Sequence, residues 1–281
     1  MSEITVQSLD NVAETLLIPL YIRAIESQRP DALLKDEKAV ALVRQMDYDF
    51  SRIKQARIDE QVRVALVLRN REFDRYARDF MARHPEAVVV HIGCGLDARF
   101  ERVCSEQPDN GQVEWYDLDL PQVIELRRKL IGGEGVRYHF LACSVLDSAW
   151  LNAVSVHRQR PFLFLAEGVL MFFEEAQIKS LVLTLKEHFP GAELVLDAFS
   201  PFLVWGNNRR VAHTKIGARC HWALKRGKDV ERWGDGICLL DEWFPFSRPE
   251  PRLAHIRWVR YIPLLAKTTG IFHYRLGKTA R

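Results

Sequence analysis

Downstream of Pro85 the sequence alternates apolar runs with amphipathic stretches, and this rhythm restricts the chain to few folds. The runs are "AVVVHI" at 87–92, "QVEWYDLDLP" at 112–121, "RYHFLAC" at 137–143, "RPFLFLAEG" at 160–168 and "AELVLDAFS" at 192–200. They are short, rich in β-branched and aromatic residues, and bounded by Gly, Pro or Asp, as buried strands are. Helical spacing fills the gaps, at 96–106, 122–131, 147–156 and 174–188. Strand alternating with helix predicts an α/β protein, a parallel sheet covered on both faces. Upstream, residues 11–27, 29–46 and 57–85 all read as helix. Downstream, a stretch at 202–236 rich in Trp, Arg and His precedes two closing strands at 237–247 and 270–278. The expectation is one unit over 1–281: a helical N-terminal cover (1–85), a ligand-binding core (86–200), and a substrate-side insertion with closing strands (201–281).

Several classes of function drop out on composition. Lys and Arg number 40 against 37 Asp and Glu, and no block of like charge stands out, so nucleic acid is not expected as a partner. The five cysteines, Cys94, Cys104, Cys143, Cys220 and Cys238, form no C-x-x-C pair. Neither a zinc site nor a disulfide framework is predicted, and reduced thiols fit the cytoplasm. The start "MSEITVQSLDNVAETLL" has no basic segment followed by an apolar one. The run "PFLFLAEGVLMFF" is broken by Glu167 and Gly168 and is too short to span a bilayer, so no membrane partner is expected.

The first strand runs into "HIGCGLDARF" at 91–100. Glycines at a strand-to-helix turn let backbone approach a ligand, and open α/β sheets bind ligands at the carboxyl ends of their strands. Gly93, Gly95 and Ala98 satisfy the spacing of a dinucleotide loop, which keeps a nicotinamide dehydrogenase as the runner-up. A carboxylate at Asp97 would repel a pyrophosphate, and no phosphate-loop Lys follows. "YDLDLP" places Asp117 and Asp119 after the second strand, where a carboxylate can accept from both ribose hydroxyls. Glu167 ends the fourth strand and would suit an α-amino group or a sulfonium. Together these residues favour adenosine with a positive substituent over a dinucleotide.

"LYIRAIESQRPDALLKDEKA", "RNREFD", "VVVHIGCGLDARF", "YDLDLPQVIELRRKL" and "LAEGVLMFF" stand in the order of a known family. The chain resembles the S-adenosylmethionine-dependent leucine carboxyl methyltransferases, in particular the bacterial branch of polyketide-biosynthesis, tetracenomycin-type O-methyltransferases. The resemblance implies a Rossmann-like class I methyltransferase fold with a mostly parallel seven-stranded sheet, and S-adenosylmethionine as cofactor. It assigns Gly93 and Gly95 to the methionine portion, Asp119 to the ribose and Glu167 to the amino group. Arg71 is assigned to the methionine carboxylate, with Arg69 as its rival, and Arg23 is a further basic contact. The family often places Asp-Leu against the adenine; this chain has Ser144 and Val145 there, with Asp147 a substitute.

The expected partner is a small-molecule methyl acceptor. A carboxylate acceptor needs no base, whereas a hydroxyl needs its proton removed. His213 and His221 are the candidate bases, flanked by Trp205, Arg209, Arg210 and Trp222. These aromatic and cationic residues suit a flat anionic acid, or equally a folded lid with Trp packed inward. A protein C-terminal carboxylate as acceptor, and a cofactor-binding scaffold without turnover, are the alternatives.

Overall fold

A computed structural model of the chain describes residues 4–5, 12–51, 53, 58–106, 112–214 and 218–278. Among the described residues the N-terminal part carries the helices α1 (Val12–Ser27), α2 (Glu37–Gln45) and α3 (Glu60–Arg83). The stretch expected as helix over 29–46 is helical only from Glu37. Asp36 stops it there by capping α2, its Oδ1 accepting from Ala39 N at 2.9 Å.

The alternation then unfolds as the sequence predicts. It runs β1 (Val88–Ile92), α4 (Arg99–Glu106), β2 (Glu114–Asp119), α5 (Pro121–Leu130), β3 (Tyr138–Ala142), α6 (Ala149–Val154), β4 (Phe162–Ala166), α7 (Glu175–His188) and β5 (Ala192–Phe199). After α8 (Pro201–Thr214) come β6 (Ile237–Trp243), the short α9 (Pro263–Ala266) and β7 (Thr269–Leu276). The main sheet has the order β3-β2-β1-β4-β5-β7-β6. Its first five strands are parallel, and β7 lies antiparallel to both β5 and β6.

Two features of this sheet position a site. β1 is wholly buried, with Val88, Val90 and Ile92 packed in one apolar layer and Val89 in the other. Its register aligns Ile92 with Leu118 on one side and Ala166 on the other, so Gly93, Asp119 and Glu167 arrive at one level. The chain reverses its direction of winding between β1 and β4, and a crevice opens at such a point. No helix among the described residues is long and apolar enough to cross a membrane.

Candidate active site

The loop after β1 turns twice through left-handed backbone, at Gly93 (φ 65°) and Gly95 (φ 52°). A Cβ on Gly93 would sit 2.7 Å from Val169 Cγ2, so glycine is required there by conformation and by space. Asp119 clamps the loop to the end of β2. One of its oxygens accepts from Gly95 N at 2.8 Å and the other from Leu120 N at 2.7 Å. Each oxygen keeps a second acceptor site. Burial raises this carboxyl above the ordinary range.

Beneath the loop lies a buried lattice of charge. Arg99 donates to Asp74 Oδ1 at 2.8 Å, lies 3.0 Å from Asp97, and also pairs with Glu167. Arg102 donates to Asp74, Asp36 and Asp97 at 2.6, 3.0 and 2.9 Å. Arg127 donates to Gly95 O at 2.6 Å and Asp97 O at 2.9 Å while pairing with Asp117. Arg99 also reaches His91 Nε2 at 3.0 Å. Because a guanidinium only donates, Nε2 accepts and the imidazole proton sits on Nδ1. Burial opposes ionisation of Asp74 and Asp97, but the arginines outweigh it and hold both carboxyls below the usual range.

Asp97 therefore faces the protein, and its charge is answered internally. Repulsion of a pyrophosphate, expected from the sequence, has no geometric basis. Cys94 is buried, and burial pushes its thiol well up, which leaves it a filler rather than a nucleophile.

Glu167 is the point where this lattice reaches the crevice. Its Oε1 accepts from Arg69 Nε at 2.8 Å and from Asn70, and its Oε2 accepts from Arg99. Burial works against its charge, yet Arg69 and Arg99 prevail and lower its pKa. Arg69 also donates to Asp197 Oδ2 at 2.8 Å. The side-chain oxygen of Asn70 is buried beside Glu167 with no hydrogen-bond partner among the described residues. The lattice sets five arginines (23, 69, 99, 102, 127) against six carboxylates (Asp36, Asp74, Asp97, Asp117, Glu167, Asp197).

The remaining sequence-predicted residues divide. Arg71 lies exposed on α3, while its rival Arg69, two residues and so about 200° around the helix, meets Glu167. Arg23 is buried, but its donors are taken by Asp36 at 2.9 Å and Leu96 O at 3.0 Å, so it props the loop from behind. Ser144 and Val145 follow β3 at the same end of the sheet, with Ser144 Oγ accepting from Leu146 N at 3.2 Å. Asp147 is exposed and accepts from Ala149 N at 2.9 Å at the start of α6. His213 is exposed on α8. His221 lies beyond it, its N donating to Met171 O at 2.8 Å and its Nδ1 2.9 Å from Glu174 Oε1.

Sequence reasoning missed Asn70, Asp74, Arg99, Arg102 and Asp197. A signal for two of them was present. Val67, Asn70, Asp74, Ala77 and Met81 follow one helical stripe, and polar residues inside an apolar stripe mark buried polar work.

A family model described as leucine carboxyl methyltransferase matches residues 17–186. The chain is 35% identical over 241 residues to the tetracenomycin polyketide synthesis O-methyltransferase of Streptomyces glaucescens, covering 86% of each protein. It is 32% identical over 268 residues to an S-adenosyl-L-methionine-dependent methyltransferase of Gibberella zeae, covering 90% of this chain and 88% of that one. Among solved structures, a DUF574 family protein of Streptomyces avermitilis aligns with TM-score 0.58 at 16% identity, over 94% of this chain and 97% of that one. At such identity the likeness concerns the fold.

Proposed function

The chain belongs to the leucine carboxyl methyltransferase family, and from that premise we propose that it methylates a carboxylate or hydroxyl oxygen of a small polyketide-type acid. It is an S-adenosylmethionine-dependent methyltransferase. The observation that carries the reading is the acceptor set that α3 and the ends of β2 and β4 gather around the glycine loop. Glu167, the unpartnered Asn70 oxygen and Asp119 are all acceptors, and the lattice that includes Glu167 has one carboxylate more than arginines. Such a seat suits a ligand rich in donors and positive charge: an ammonium, a sulfonium and a ribose diol. A phosphate would meet three acceptors and only the spare nitrogen of Arg69 as donor, which argues against a dinucleotide.

In this reading Gly93 and Gly95 lie along the methionine portion and Asp119 takes the ribose hydroxyls. Glu167 and Asn70 take the ammonium. Arg69 replaces Arg71 at the methionine carboxylate, through the guanidinium nitrogen left over from its bonds to Glu167 and Asp197. Ser144 and Val145 flank the adenine. When bound, S-adenosylmethionine supplies an electrophilic methyl group. The protein's share is alignment of the acceptor oxygen and exclusion of water. The five cysteines, none of them in a disulfide among the described residues, fit a cytoplasmic setting.

The His221–Glu174 pair favours a second arm of the same reading. With Nδ1 held by Glu174, Nε2 is the nitrogen left to take a proton from a hydroxyl acceptor. Incubation with methyl-labelled cofactor and a panel of polyketide-type acids and phenols tests the proposal. Labelled methyl ester or ether is the expected product. Cofactor binding with no transfer to any member would return the chain to the role of a scaffold.

A further inference from the structure

Charge is unevenly spread along this nearly neutral chain. No Asp or Glu occurs between Asp197 and Asp229, and none after Glu250. Those two stretches hold 14 of the 40 Lys and Arg; the other 26 share the rest of the chain with all 37 acids, a balance of −11. The two stretches meet at one end of the sheet through residues 200–214 and 251–268, whereas Arg275 and Lys278 follow β7 toward the other end. α8 leaves the carboxyl end of β5, and Ser200 N donates to Thr268 O at 2.8 Å, just before β7 begins. The glycine loop opens at this same end.

That end is also where large apolar side chains stand in solvent. Tyr261 is 71% exposed, Leu264 65%, Trp205 60%, Trp258 52% and Phe202 49%. Cations are interleaved with them: Arg209 sits 5.6 Å over the Trp205 ring and Arg260 4.7 Å over that of Tyr261. The sequence "RWVRYIPLL" at 257–265 contributes no residue to the apolar core, whereas Leu253 and Ala266 on either side of it are buried. Exposed apolar surface on this scale marks a contact with something larger than a metabolite.

We propose that this face docks reversibly on an anionic lipid surface, with Trp205, Trp258, Tyr261 and Leu264 entering the headgroup layer and Arg209, Arg257, Arg260 and Lys267 meeting lipid phosphate. Trp and Tyr favour the membrane interface, and each Lys or Arg near an anionic leaflet adds to the attraction. Aliphatic Leu264 and Ile262 gain from lipid but do not stack on bases, which disfavours a nucleic acid. Two copies packed through this face would bring like charges together. The sequence expectation of no membrane partner rested on the lack of a spanning run, and a surface-bound protein needs none. Docked in this way, the cofactor end of the sheet faces the bilayer, where an apolar acceptor would collect.

The test is co-sedimentation of the whole protein with two kinds of vesicle, phosphatidylglycerol mixed equally with phosphatidylcholine, and phosphatidylcholine alone. Binding to the mixed vesicles only, weakened by salt, is expected. Arg257→Glu/Arg260→Glu and Trp258→Ser/Leu264→Ser should each lower the partition more than about tenfold. All four positions are exposed, and unchanged calorimetric affinity for S-adenosylmethionine serves as the folding control. Absence of vesicle binding, or equal binding to neutral vesicles, overturns the proposal. So does a dimer, or a complex with single-stranded RNA, that the same variants abolish while vesicles stay unbound.

Discussion

Under the glycine loop, Arg99, Arg102 and Arg127 are buried and bonded on several sides by Asp74, Asp97 and Asp117. At the neighbouring carboxyl end of β5, Trp205 and Arg209 lie in solvent, the guanidinium over the indole ring and Phe202 stacked beside it. Both regions are rich in arginine, yet they use it in opposite ways. A buried guanidinium with three partners fixes backbone, because removing it strands several carboxylates in a medium that cannot solvate them. An exposed one over an aromatic ring fixes little and stays available to a partner. The half that we assign to the cofactor is held rigidly, and the half that we assign to the lipid surface is left adaptable.

The comparison breaks first, if it is wrong, on stability. Arg99→Met would leave Asp74, Asp97 and Glu167 short of a partner and should cost about 3–5 kcal/mol in urea unfolding. Arg209→Met should stay within about 0.5 kcal/mol. Equal losses would erase the distinction between the regions.

Gly93→Ala comes next. It forces a side chain into left-handed backbone, a cost of about 1–2 kcal/mol, and drives Val169 aside. Affinity for S-adenosylmethionine, followed by fluorescence titration, should fall more than about tenfold. Acid provides a third and smaller effect. Asp74, Asp97 and Glu167 are held below their unfolded values, so the stability they contribute is present above about pH 4 and is lost as pH falls. Asp119 and Asp197 are raised by burial and act with the opposite sign. The urea midpoint should therefore be nearly flat from about pH 5 to 8 and should drop below about pH 4, as the three lowered groups, joined by Asp117 and Glu193, which are also lowered, outweigh the two raised ones. A midpoint that rises on acidification would contradict the lattice.

His213→Ala and His221→Ala are expected to change stability least, since both residues are exposed. Turnover separates the two arms of the proposed chemistry. A phenolic acceptor should lose about a hundredfold in His221→Ala, whereas a carboxylate acceptor should be unaffected. Full activity in both variants, on every acceptor, removes the base.

Much of the fold was legible because apolar runs and turn residues declare a doubly wound sheet locally. All seven strands of that sheet lie within two residues of their expected positions at the start. The geometry of the candidate site was legible where one residue type at one turn suffices: Gly93 and Gly95 take positive φ, Asp119 clamps their loop, and Glu167 follows β4. It was illegible where geometry decides between neighbours. Arg69 and Arg71 are equivalent in composition, and only the rotation of α3 sends one to Glu167 and the other to solvent. The direction of Asp97 depended likewise on Arg99 and Arg102, whose burial no local pattern announces.

The central claim is that the ends of β1, β2 and β4 seat S-adenosylmethionine through Asp119 and the Glu167 cluster, not through Arg71. Isothermal titration of S-adenosylmethionine into the unaltered protein, Asp119→Ala and Arg71→Ala tests it directly. The account predicts one site in the unaltered protein, affinity reduced about 10–100-fold in Asp119→Ala, and no change in Arg71→Ala. No heat in the unaltered protein, or a loss confined to Arg71→Ala, would contradict it.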